Sequence, residues 1–96
     1  MTDLEITRLC AEAMGYEYSD GSGTICVSKA GVGNYDPLHD DAQAMALVKK
    51  FRLEVQDCGK WFVSEHQNAD AFEDDLNRAI CLTVARMQQV HERTRS

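Results

Sequence analysis

The sequence contains few of the features that would assign a function directly. No run of apolar residues approaches the roughly 18 that a membrane-spanning helix needs, and the first residues lack the basic start and apolar stretch of a secretory signal. The chain also lacks a Gly-x-Ser-x-Gly nucleophile motif, a phosphate-binding P-loop and a Cys-x-x-Cys pair. We therefore expect a cytoplasmic protein whose function does not follow from a single motif.

Basic residues are scarce. Ten Lys and Arg stand against sixteen Asp and Glu, which gives a formal net charge of −6 at pH 7. A nucleic-acid-binding protein needs positive charge to neutralise phosphates. The charge balance therefore disfavours nucleic acid as a partner, and it favours a basic protein if the chain binds one.

The four cysteines, Cys10, Cys26, Cys58 and Cys81, are spread along the chain without the spacing of a zinc knuckle. Disulfides are rare in the expected cytoplasmic setting. We expect reduced, buried thiols that act as small hydrophobic groups. Cys58 is the exception, because it precedes Gly59 in a predicted turn and is expected to be exposed.

A chain of 96 residues with 44% apolar content can form one hydrophobic core. We expect one domain over residues 1–92, followed by a frayed tail at 93–96. Periodicity predicts three helices, at about residues 3–14, 40/41–51 and 71–91. The first is predicted to begin with a Thr2–Glu5 capping box and to end at Gly15, and the last to begin at an Asp70 cap.

Two hairpins are predicted between these helices. The first joins residues 16–18 to 24–28 through a glycine-rich turn, and the second joins 52–56 to 61–64. The segment at 29–38 is expected to be irregular. The expected fold is therefore α/β (α+β), with the element order α-β-β-α-β-β-α.

Most carboxylates have a structural explanation. Half of the sixteen acids lie near predicted helix starts, where the helix dipole favours them. His39, Asp40 and Asp41 are the nearest approach to a metal or acid–base cluster, with His66 as a candidate further ligand. Adjacent residues at a helix start point in different directions, so we expect no catalytic residue, metal or cofactor here.

Some apolar residues are candidates for an interface. Leu82 and Val84 lie beside the main apolar stripe of the last helix, and Leu4 lies off the stripe of the first. Tyr35 flanks the irregular segment, and Trp61 lies on a predicted strand. These five residues are the predicted contacts with a partner chain.

Four blocks taken in order resemble the phage ABA sandwich domain, a family of small bacteriophage and prophage proteins. They are MGY at 14–16, YDPLHDDA at 35–42, WFV at 61–63 and NRAICLTVA at 77–85. Family members often have Ser or Thr where this chain has His39, so Asp40 is expected to cap the second helix. The resemblance implies a three-layer α/β/α sandwich around a four-stranded, mainly antiparallel sheet, and origin and work inside a bacterial host cell. A sheet covered on one face only is the competing architecture.

The family implies no established activity, so no functional residue is carried over from it. Small size, acidity and the lack of assembled chemistry favour a non-catalytic accessory protein that acts through protein–protein interaction. The alternative is a homo-oligomeric structural or assembly protein. A third reading is a small metal-dependent hydrolase built on His39, Asp40, Asp41 and His66.

Overall fold

A computed structural model describes residues 1–21, 24–27, 34–65 and 69–95. Within these ranges, three helices and six short strands form a mixed α+β fold, in agreement with the coarse prediction. The helices are α1 (Asp3–Ala13), α2 (Asp41–Phe51) and α3 (Leu76–Arg95). The strands are β1 (Tyr18–Gly21), β2 (Thr24–Val27), β3 (Asn34–Tyr35), β4 (Glu54–Asp57), β5 (Trp61–Glu65) and β6 (Ala69–Glu73).

The described strands form two antiparallel sheets of three strands each, with the orders β1-β2-β3 and β4-β5-β6. They replace the predicted single sheet of four strands. Both predicted hairpins are present, and each has a third strand beside it. The segment expected to be irregular contains β3, and β6 lies where the last helix was expected to begin. Residues 22–23 of the first predicted turn lie outside the described residues.

The first two helices begin where their caps predict. The Thr2 hydroxyl accepts a hydrogen bond from the Glu5 backbone N–H at 3.1 Å, and Gly15 after α1 adopts a left-handed φ of 77°. Asp40 accepts from the Gln43 backbone N–H at 3.0 Å, so α2 begins at Asp41. Local hydrogen bonding is sufficient to set these boundaries.

The third helix begins five residues later than predicted. The carboxylate of Asp75, not that of Asp70, accepts from a first-turn backbone N–H, that of Arg78, at 3.0 Å. Residues 69–73 instead pair along the whole of β5, with Ala71 buried and Phe72 exposed. Residues 69–73 therefore form a strand beside the hairpin, although Asp70 and Glu73 have the spacing of a helix cap. At its other end α3 continues to Arg95, into the region predicted as a frayed tail.

The centre of the molecule is helix α3, whose residues 79–85 are all buried. It packs against α1 and α2 and against strands β5 and β6. The Thr83 hydroxyl lies 2.8 Å from the Ala79 carbonyl oxygen and 3.0 Å from that of Val63 on β5, so it ties the helix to the sheet. The element that its neighbours cover on several sides is therefore helix α3. In the expected three-layer sandwich, the covered element would be the sheet. Across the described ranges, none of the helices combines the length and apolar character needed to pass through a bilayer.

Two cysteines and a tyrosine place polar atoms in this core. Cys10 and Cys81 are free and buried, and Cys58 is free and exposed, as predicted. The Cys10 thiol donates to the Cys81 carbonyl oxygen at 3.4 Å, and its contact with Cys81 and its burial raise the pKa of Cys10 well above the ordinary value. The buried Tyr35 hydroxyl has no hydrogen-bond partner among the described residues. The side chain of Cys26 lies outside the described residues.

Candidate functional site

The three helices begin close together, and the first turn of α3 joins them. The Arg78 guanidinium donates to the Asp3 carboxylate on α1 at 2.7 Å. The Asn77 side chain donates to the Asp41 carboxylate on α2 at 2.8 Å. Beside these contacts lies a cavity of about 320 Å³, the helix-start cleft, lined by Asp3, Leu38, His39, Asp75 and Arg78.

The charges of the helix-start cleft are already paired within the chain. Arg78 binds Asp3 and lies 3.7 Å from Glu73. Its hydrogen bond to Asp3, with the charges of Asp3, Glu73 and Asp75, raises the pKa of Arg78. Asp75 is held as the α3 cap. A binding site for an anionic ligand is not favoured here, because the one arginine already lies between carboxylates. The contacts instead connect the starts of the helices.

His39 has a carboxylate partner, which is the geometry that orients a general base. Its Nδ1 lies 3.0 and 3.1 Å from the two oxygens of Asp36. The backbone N–H groups of His39 and Asp40 both donate to the Asp36 carbonyl, so the pair also closes the turn before α2. His39 is exposed, and the five described residues that line the cleft offer no hydroxyl or thiol as a nucleophile.

Among the described residues, the structure does not group the predicted metal candidates His39, Asp40 and Asp41 into a metal site. His39 contacts Asp36, Asp40 caps α2, and Asp41 accepts from Asn77. His66, the fourth candidate, lies outside the described residues. In the described part of the chain, no three His, Cys, Asp or Glu side chains are grouped so that they could hold a metal ion.

The sheet of β4, β5 and β6 has two different faces. Val63 and Ala71, which are paired across β5 and β6, are buried, with β5 and β6 packed against α3. Side chains alternate along a strand, so the neighbouring residues lie on the opposite face. There the register aligns one row of Gln56, Phe62 and Phe72 and a second row of Glu54, Ser64 and Asp70. We call these six residues the aromatic face.

The aromatic face presents a large apolar side chain to solvent. Phe72 is 52% exposed, the highest exposure among the large hydrophobic residues that the structure describes. Its ring centroid lies 6.5 Å from that of Phe62, and the Lys60 ammonium lies 5.8 Å from its centroid. Phe72 was not among the predicted interface residues, because residues 71–91 were predicted to form the last helix. Residues 69–72 do not alternate between apolar and polar, so the sequence carried no clear strand signal here.

The five predicted interface residues fall into two groups. Tyr35 on β3 is buried in the chain's own core, and so are Leu82 and Val84, because α3 is covered on more than one side. They are not available to a partner in this fold. Leu4 and Trp61 are only partly buried and pack against the edge of that core. Neither is as exposed as Phe72.

Comparisons with known proteins add no further observation. The chain matches no family model, no curated protein and no solved structure. Function must therefore be inferred from the chain's own residues, and of those that the structure describes, the most exposed large apolar side chain lies on the aromatic face.

Proposed function

We propose that this chain is a small, acidic, non-catalytic accessory protein that acts through protein–protein interaction at the aromatic face. The observation that carries the proposal is the 52% exposure of Phe72 beside Phe62 on an open sheet face. Exposed apolar patches with polar borders are typical of interaction sites. Phe62 and Phe72 lie beside Glu54, Ser64 and Asp70, which gives this face such a border.

The size of the exposed ring makes it suitable as an anchor. A phenylalanine presents about 200 Å² that can be buried, so covering the exposed half of Phe72 removes about 100 Å² from water. At about 25 cal/mol per Å², this contributes roughly 2.5 kcal/mol to binding. That is the range of a residue that dominates an interface. The net charge of −6 favours a basic partner and disfavours nucleic acid.

The resemblance to the phage ABA sandwich domain supplies the biological part of the proposal. On this resemblance, the proposed origin is a phage or prophage and the proposed place of action is the bacterial cytoplasm. A partner element seated on the aromatic face would cover the second side of the sheet. The sheet would then lie between α3 and the partner element, which is the three-layer arrangement that the resemblance implies.

A homo-oligomer is the alternative, with the Phe72 rings of two copies in contact. The observation in its favour is again the exposed ring, because an isologous interface needs only one patch. Two copies of net charge −6 repel each other, and this weighs against it.

Affinity capture from a bacterial lysate tests the proposal with the full chain and two variants. Phe72→Ser removes the ring, and Met45→Ser is the control, since Met45 is 45% exposed on α2. We expect the wild type and Met45→Ser to retain the same partner at stoichiometric levels, and Phe72→Ser to lose it. Thermal unfolding shows that the variants fold. Recovery of no stoichiometric partner, or equal recovery by all three chains, would contradict the proposal.

A further inference from the structure

Strand β4 is an open edge of the sheet. Among the described strands it pairs only with β5, and all four of its residues are exposed. The other edge, β6, is partly occupied, because Arg86 of α3 donates to the Asp70 carbonyl oxygen at 2.6 Å. A strand edge with unpaired backbone groups can accept a further strand.

The buried layer of the sheet is incomplete at this edge. Val55, Val63 and Ala71 form one row across the three strands. Val63 and Ala71 are 0% and 1% exposed, but Val55 is 38% exposed. An apolar side chain placed opposite Val55 on an added strand would extend this row by one position.

The charges on β4 indicate which strand fits. Glu54 and Asp57 lie at its two ends, and the pairing of Asp57 with Trp61 and of Glu54 with Ser64 puts them on opposite faces. Glu54 makes no ion pair with a described residue. One oxygen of Asp57 accepts from the Gly59 N–H at 3.2 Å, which leaves the other free to accept. A second copy of β4 paired antiparallel so that Val55 faces Val55 would place Glu54 opposite Gln56 and Asp57 opposite Leu53, so neither carboxylate would meet an opposite charge.

We infer that the β4 edge binds an extended basic segment of another protein, added antiparallel as a further strand. Its sequence is basic, any residue, apolar, basic, so that the two basic side chains face Asp57 and Glu54 and the apolar one faces Val55. The inference rests on the proposed interaction role but uses the backbone edge of β4, which shares Glu54 and Gln56 with the aromatic face and lies apart from its two rings, Phe62 and Phe72.

The test uses the full chain and two synthetic peptides, acetyl-TSKTVKTS-amide and its control acetyl-TSETVETS-amide, titrated by NMR. We expect the lysine peptide to shift the amides of residues 54–57 and to bind roughly five- to thirtyfold more tightly than the glutamate peptide. The variant Glu54→Lys/Asp57→Lys should reverse this preference. The single variant Glu54→Lys, which leaves the Asp57 turn intact, should weaken lysine-peptide binding by a smaller factor. Phe72→Ser should bind the lysine peptide as the wild type does.

Three outcomes would overturn the inference. They are equal binding of both peptides, shifts confined to β5 and β6, and a wild-type dimer that protects the β4 amides from hydrogen exchange. If the peptide preference fails while Phe72→Ser still loses a partner from lysate, the β4 inference is wrong and the proposed function stands. If the preference reverses as expected but Phe72→Ser retains every partner, the role assigned to the aromatic face is wrong.

Discussion

Replacing Val84 by alanine should lower the free energy of unfolding by about 2–3 kcal/mol. Val84 lies on α3 and is 0% exposed. The substitution removes two buried methyl groups, each worth about 0.8 kcal/mol, and the space left behind adds a cavity term because close-packed neighbours relax only in part. In a domain of this size, a loss of 2 kcal/mol lowers Tm by roughly 8–16 °C.

Val90→Ala is the matched control, because Val90 lies on the same helix and is 46% exposed. The gain in helix propensity from valine to alanine applies to both variants and cancels in the comparison. We expect Val90→Ala to change the free energy of unfolding by no more than about 0.5 kcal/mol.

Urea unfolding followed by circular dichroism, at two protein concentrations, measures both variants. The loss in Val84→Ala should not depend on protein concentration, since the contacts lie within one chain. Equal losses in the two variants would show that α3 is not the buried centre of the fold. A loss that grows with protein concentration would instead indicate that Val84 contacts a partner chain, as first predicted.

Three further measurements follow from particular residues. Arg52 ends α2 with a left-handed φ of 52°, which glycine adopts at lower cost. Arg52→Gly should therefore raise the free energy of unfolding by up to about 1 kcal/mol in urea titrations. A lower free energy of unfolding would contradict this. Interaction with the neighbouring Glu12 carboxylate raises the pKa of Glu92 above its ordinary value of 4.5, so the charged form is disfavoured in the folded state. Glu92→Gln should therefore exceed the wild type in Tm near neutral pH and lose this advantage as the pH falls through the raised pKa toward 4.5; a constant offset would refute it. Iodoacetamide should label the exposed Cys58 in the native protein and the buried Cys10 only after unfolding. Peptide mass spectrometry measures the labelling of each cysteine, and equal labelling rates in the native protein would contradict the burial pattern.

Features set by local hydrogen bonds could be predicted from the sequence. The Thr2–Glu5 capping box and the Asp40 cap both lie where the spacing of polar and apolar residues puts them. The turn at Gly59 has a positive φ of 90°, and the strands on either side pair as the second hairpin predicts. In each case the residues that decide the structure lie within a few positions of one another.

Features set by distant contacts could not be predicted in the same way. Asp70 and Glu73 have the spacing of a helix cap, yet their segment pairs with β5, which no local pattern announces. Leu82 and Val84 looked like surplus apolar residues because a helix with one partner needs only one stripe. Once α3 is enclosed by other helices and a sheet, both are core residues. The aromatic face was missed for the same reason, since Phe72 becomes exposed only when its segment is a strand.

The most direct test of an interaction role for the aromatic face is site-specific photo-crosslinking in bacterial cells. Benzoylphenylalanine placed at Ser64, in the middle strand of that face, is compared with the same group at Met45, which is exposed on α2. We predict a crosslink from position 64 to one protein heavier than this chain, with little product from position 45. No crosslink from position 64, equal products from both positions, or a product twice the mass of this chain would contradict the proposal.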